Sequence, residues 1–251
     1  MTVTVTDTNT ERMPGCLGII GAMQVEVAEL VSHMTDTRSR TVSGITFTEG
    51  LLRGRHTVVA GCGIGKVFAA LCAQTMILLY HPDAVINTGV AGSLSPRLGI
   101  GQVAVAEAVV QHDMDTTPIG DPKGLISGLN IIEIPTDPAV TDGLCACVRD
   151  AGVPFLRGVI ASGDTFVAGS PAKERIRSDF PSLNLVACEM EGAAIGQVCF
   201  VNRTPCAILR AISDGGDEQA YADYPSFLHA AAHTAAALLE EYAARSHGSA
   251  D

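Results

Sequence analysis

Short runs of apolar, largely β-branched residues alternate with longer stretches of helical periodicity along most of this chain, and that alternation limits what the chain can fold into. Strands are expected near residues 16–20, 45–48, 57–60, 84–87, 103–110, 131–134, 159–161, 185–186 and 206–209. Helices are expected at about 23–34, 67–80, 139–151, 171–179, 190–201 and 224–245. Strand and helix in turn predict an α/β fold with a mostly parallel, mixed central sheet flanked by helices. Hydrophobic residues make up 47% and charged residues 17% of the chain, which suits a sheet covered on both faces. No Pro/Ser-rich linker or charge run divides the sequence, so it reads as one domain over residues 15–247, preceded by a polar, Thr-rich, disordered tail over residues 1–14.

The formal net charge of -11 argues against a general grip on nucleic-acid phosphates, since no basic stripe offsets it. Eight cysteines are scattered through apolar runs without a Cys-x-x-Cys pair, the pattern of buried, reduced thiols in a cytoplasmic protein. The start of the chain lacks the basic and apolar stretches of a secretory signal. No apolar run reaches membrane-spanning length.

Three acids follow apolar runs directly: Glu26 after Gly21-Ala22-Met23, Glu191 within Glu189-Met190-Glu191, and Asp214 after Arg210-Ala211-Ile212-Ser213. In an α/β sheet the carboxyl ends of the strands are where ligands bind, and carboxylates gathered there repel one another unless a ligand or counter-charge compensates. Each has a structural reading of its own, since an acid at a helix N-terminus is favoured by the macrodipole and Asp214 suits the turn at Gly215-Gly216. Those readings weaken when all three acids reach one edge, and together they point to an active site.

Other motifs divide more evenly. Gly61-Cys62-Gly63-Ile64-Gly65-Lys66 fails the phosphate-loop spacing, with Ala60 and Val67 where glycine and Ser or Thr are required, so it reads as a tight turn. Gly89-Val90-Ala91-Gly92 serves either close helix–strand packing or a flat floor for a planar base. His112, Asp113 and Asp115 lack a further converging ligand at metal spacing, and no metal is assigned.

In one order from Cys16 to the last helix, Gly18-Ile19-Ile20-Gly21-Ala22-Met23 with Glu26, Gly63-Ile64-Gly65-Lys66, Asn87-Thr88-Gly89, Ala161-Ser162-Gly163-Asp164, Glu189-Met190-Glu191 and Arg210-Ala211-Ile212-Ser213-Asp214 resemble the signature blocks of the 5′-methylthioadenosine/S-adenosylhomocysteine nucleosidases, within the purine nucleoside phosphorylase superfamily. The resemblance implies a three-layer nucleoside phosphorylase-like fold and a cofactor-free N-ribosyl hydrolase of methionine salvage, which releases adenine from a 5′-thio-substituted nucleoside. By resemblance, Asp214 protonates the imidazole-ring nitrogen of adenine, Glu26 holds and deprotonates the attacking water, and Glu191 accepts from the ribose hydroxyls. Arg210 steadies the acids and Ser213 orients Asp214. Phe166 lies on the adenine, main-chain groups of Val167 read its edge, and Met23, Ile64 and Met190 surround the sugar. Val90 and Gly92 lie beneath the ligand. The family commonly has serine where Val90 stands and phenylalanine where Tyr224 stands. A lid from the partner subunit of a homodimer maps near Thr116 and Ile119.

The chemistry suits these residues independently, because breaking an N-glycosidic bond requires an acid for the base and a base for water. Alternatives are an aminofutalosine nucleosidase, a phosphate-dependent phosphorylase, and a nucleoside-binding or storage protein without activity. A carboxylate at Glu26 repels phosphate, and the three acids together disfavour a silent binder. Substrate preference among methylthioadenosine, adenosylhomocysteine, 5′-deoxyadenosine and aminofutalosine depends on pocket width, which spacing does not measure.

Overall fold

A computed structural model describes residues 15–247, and the tail expected over residues 1–14 lies outside the described residues. The chain runs β1 (Leu17–Gly21), α1 (Gln24–Ser32), β2 (Thr35–Val42), β3 (Ile45–Leu52), β4 (Arg55–Gly61), α2 (Lys66–Tyr80), β5 (Ala84–Ser93), β6 (Val103–Gln111), β7 (Ile134–Pro135), α3 (Pro138–Asp150), β8 (Phe155–Ser162), α4 (Ser170–Asp179), β9 (Leu185–Glu189), α5 (Gly192–Asn202), β10 (Cys206–Asp214) and α6 (Ala220–His247). All strands join one mixed sheet in the order β10-β6-β8-β9-β5-β1-β4-β3-β2, with β7 appended to β6. Because β10 also pairs with β5, the strands β5, β10, β6, β8 and β9 close into a ring, and β1 to β4 extend from it as an open wing.

Every residue of β1, β5, β9 and β10 is buried, which is why these strands read as continuous apolar runs. Their side chains alternate between two cores with the period of a strand. Ile208 and Ile212 of β10 pack with α2 and α5 through Ala69, Met76 and Ile195. Ala207, Leu209 and Ala211 face the other side, where α1, α3 and α6 contribute Leu30, Leu144 and Leu239. A smaller core under α4 joins Ile176 and Phe180 to Leu94 and Val110. Truncating a fully buried residue such as Leu209 to alanine costs about 2–5 kcal/mol.

Two features differ from the sequence reading. Strand β2 was not expected, because Thr35–Val42 is polar and almost wholly exposed. It pairs only with β3 at the edge of the sheet, so it has no buried face to leave an alternating signal. The strand expected over 131–134 shrinks to the two residues of β7, while Ile131 makes only an isolated bridge to Ile126. Asn130, with φ of 58°, turns the chain just before it and delays the ladder.

Candidate active site

Glu26 occupies the first turn of α1, and its carboxylate folds back on the chain that leads out of β1. Oε2 accepts from the N–H groups of Ala22 at 2.7 Å and Met23 at 2.8 Å, and Oε1 accepts from Val90 N–H of β5 at 3.0 Å. It closes the helix N-terminus and also ties β1 to β5. Gly89 makes that approach possible: its φ is +146°, and a Cβ there would fall on Glu26 Oε1 and 2.5 Å from Arg210 Nη1.

Asp214 ends β10 just past a shift of register between Ile212 and Asp214, and it pairs there with Gly92 of β5. Any side chain on Gly92 would begin 2.8 Å from Asp214 Oδ1. The carboxyl accepts from Ser213 Oγ at 2.9 Å and from Gly216 N–H at 2.8 Å. Burial pushes its pKa up, the two hydrogen bonds pull against that, and Asp223 and Asp217 push it further.

Glu191 stands at the N-cap of α5 and accepts Gly65 N–H at 2.8 Å. Burial is the main cause that raises its carboxyl to about 7; Arg210 and the Gly65 amide work against the rise, and Glu189 and Glu26 add to it. Glu189, at the end of β9, is the partner Arg210 holds most closely. It receives Arg210 Nη2 and Ser162 Oγ together with the N–H groups of Glu191 at 3.0 Å and Gly192 at 2.7 Å. Arg210 also donates to Asn87 Oδ1 at 2.5 Å and to Thr88 O at 3.3 Å, while Glu191 Oε2 lies 3.6 Å away. Burial opposes the Arg210 charge, but Glu189, Glu191 and Glu26 outweigh it.

One cavity of about 400 Å³ gathers these groups, a volume in the range usual for small-molecule sites. Glu26, Glu191 and Asp214 all line it, as do Met23, Ile64, Met190, Phe166 and Val167. Val90, Gly92, Ser213 and Tyr224 form part of its wall. Tyr224 stands edge-on to Phe166 at 5.4 Å between ring centres, and its hydroxyl donates to Met23 Sδ at 3.2 Å. Arg210 does not line the cavity. It lies behind the wall, because its guanidinium is spent on Glu189, Asn87 and Thr88. Thr116 and Ile119 also lie outside the cavity of their own chain; Thr116 bonds Asp121 at 2.8 Å and Ile119 is 80% exposed.

Sequence reasoning missed Glu189, Cys188, Thr165, Ala22 and Ala91 as lining residues. Glu189 carried a signal as the other acid of its own motif, and Ala22 and Ala91 as members of the small-residue segments they belong to. The candidate metal residues take separate partners: Asp113 holds Lys66, Asp115 holds Lys123, and His112 is buried with Nε2 unpartnered.

A family model described as the phosphorylase superfamily matches residues 17–244. The chain is 38% identical to a 5′-methylthioadenosine/S-adenosylhomocysteine nucleosidase of Shewanella loihica, over 89% of this chain and 96% of that one. The crystal structure of a nucleosidase of the same name from Neisseria meningitidis, in complex with methylthio-immucillin-A, superposes with a TM-score of 0.88 at 34% identity and covers 92% of this chain and 99% of its own. A native futalosine hydrolase from Helicobacter pylori is similarly alike, with a TM-score of 0.85 at 35% identity over 90% of this chain and 96% of its own. The chain therefore belongs to the phosphorylase superfamily and, within it, to the 5′-methylthioadenosine/S-adenosylhomocysteine nucleosidases.

Proposed function

We propose that this enzyme hydrolyses the adenine–ribose bond of 5′-methylthioadenosine and S-adenosylhomocysteine, through a single nucleosidase domain spanning residues 15–247. The observation that carries the reading is the pair Glu26 and Asp214 lining one cavity, each held by different donors. In the reaction the C1′–N9 bond breaks and its electrons pass to the purine. Asp214, whose pKa burial pushes up, delivers a proton to the imidazole-ring nitrogen. Glu26 takes a proton from water as the water oxygen bonds C1′. Glu191 accepts from the ribose hydroxyls, and its negative charge stabilises the oxocarbenium-like sugar. The face of adenine rests on Phe166, with Val167 at its edge.

Hydrolysis is preferred to phosphorolysis because the cavity is lined by carboxylates with no Lys or Arg among the lining residues, and a phosphate dianion requires such a cation. Release of adenine from methylthioadenosine and adenosylhomocysteine in phosphate-free buffer is the direct test. Dependence of that release on added phosphate would overturn the choice, and Glu26→Gln serves as the silent control. The likeness to futalosine hydrolase makes aminofutalosine the natural third substrate in the same assay.

We propose also that the enzyme works as a homodimer in the cytoplasm. Val67, Phe68, Leu71 and Leu78 expose one face of α2, and Phe200 and Val201 are exposed on the packed neighbour α5. Ile119 is exposed on its own chain, as a residue covering the partner's cavity must be. Among the described residues no helix is long and apolar enough to cross a membrane.

A further inference from the structure

Three residues take no part in the proposed chemistry: Lys66, Asp113 and Asp164. They meet beside the cavity. Lys66 Nζ donates to Asp113 Oδ1 at 2.6 Å, Asp164 N–H donates to Asp113 Oδ2 at 2.9 Å, and Lys66 N–H donates to Asp164 Oδ1 at 2.8 Å. The bonds close a ring through three segments: the exit of β6, the first residue of α2, and the loop after β8. Gly65, the N-cap of α2, has no side chain with which to cap the helix, so Asp164 supplies the acceptor from another segment. Asp113 is suited to stay charged. Burial pushes its carboxyl up, but Lys66 and the Asp164 amide hold it below the ordinary carboxylate range.

The position of the ring gives it a consequence for binding. Gly65 N–H is the amide that Glu191 accepts, and Ile64 lines the cavity next to it. Asp164 is followed directly by Thr165, Phe166 and Val167, which line the cavity as well. Lys66 and Asp164 thus anchor two separate walls, and Asp113 bridges both.

We propose that Asp113 is a positioning residue which, with Lys66 and Asp164, clasps these two walls and sets the Gly65 N–H against Glu191 and the Phe166-Val167 face, thereby governing the grip on the intact nucleoside. The inference rests on the reading of Glu191 as the acceptor for ribose. It is tested by steady-state adenine release from methylthioadenosine for Asp113→Asn, Lys66→Met, the double variant and Lys66→Arg, with thermal melting alongside. KM rises about tenfold in each single variant, the weight of one charge-assisted hydrogen bond. Meanwhile kcat stays within about threefold, because the clasp serves ground state and transition state alike. A ring opened once is open, so the double variant is no worse than the weaker single one, and Lys66→Arg recovers most of the affinity.

An unchanged KM with a lowered melting temperature, or effects that simply add, would overturn the clasp. Amide exchange in the ligand-free protein reads the same device without turnover: Asp113→Asn speeds exchange at residues 64–66 and 164–167 together, and unchanged exchange at both segments counts against it. Failure of the unmodified enzyme to release adenine instead overturns the nucleosidase reading, and amide exchange still decides the clasp.

Discussion

At the end of the cavity proposed for the sugar, Glu26 and Glu191 sit in a knot with Glu189 and Arg210, and donors from several segments converge on the carboxylates. At the end proposed for the base, Asp214 faces one hydroxyl and one amide, with no cation bonded to it among the described residues. Two environments in one cavity thus hold the same functional group in different ways. Amides that surround Glu26 fix an acceptor, whereas desolvation with few donors favours the protonated form of Asp214.

The largest expected effect tests the base end. Asp214→Asn keeps the shape of the side chain and removes the transferable proton, so kcat for adenine release falls about a thousandfold, within the ~10²–10⁴ span of general acid catalysis. Retention of more than a tenth of the rate would remove the distinction between the two ends. Protein stability, read by denaturant titration, holds steady in this variant, because the group replaced is a carboxyl that burial already disfavours as an anion.

The knot behaves in the opposite manner. Glu189→Ala leaves the Arg210 guanidinium buried with Glu191 at 3.6 Å as its remaining carboxylate, and Arg210 is 1% exposed. Removing one member of a buried ion pair costs about 3–5 kcal/mol of stability, measurable as a shift in the denaturant midpoint. A cost below about 1 kcal/mol would mean that Arg210 is held by Asn87 and Thr88 alone, and that the sugar end is no more tightly knit than the base end.

Much of this contrast was legible in the sequence, and its omissions have physical causes. Strands β1, β5, β9 and β10 announce themselves because both faces are buried, and the acids that follow them mark the edge at which the cavity lies. Glu189 and Glu191 are separated only by Met190, and spacing does not say which one Arg210 engages. That follows from Glu189 ending β9 while Glu191 stands at the N-cap position of α5, a boundary of one residue. Nor does spacing reveal the register shift at β10 that seats Asp214 against Gly92, since it depends on pairing with β5. Closure of the ring through β10 and β5 is likewise a long-range pairing without a local signal. The polar edge strand β2 was invisible because nothing buries it.

A third test separates the ends by pH. Glu191 rises from an ordinary 4.5 to about 7 on folding, so between those values the native state holds a proton that the unfolded chain has released. Stability therefore falls as pH rises through that window, by no more than about 3 kcal/mol in all. Glu191→Gln flattens this slope, as denaturant titrations at pH 5 and pH 8 will register. The same titration costs activity on the acid side, because a protonated Glu191 no longer offers a negative charge to the sugar. The pH profile of kcat/KM is expected to show an acid limb near pH 7 from this carboxyl, and a limb well below that value would count against it.

The smallest effect lies at Tyr224, which touches both ends. Its ring packs edge-on against Phe166 of the base side, while its hydroxyl donates to Met23 Sδ beside Glu26. Sulfur is a weak acceptor, so a substrate tail with a better acceptor competes for that hydroxyl. Tyr224→Phe keeps the ring contact and removes the donor. KM for adenosylhomocysteine, whose tail ends in a carboxylate, then rises about fivefold, the worth of roughly 1 kcal/mol, and KM for methylthioadenosine holds within about twofold. Equal loss for both substrates would place the effect in the Met23 contact rather than in the tail. No change for either would reduce Tyr224 to an apolar wall, equivalent to the phenylalanine common in the family.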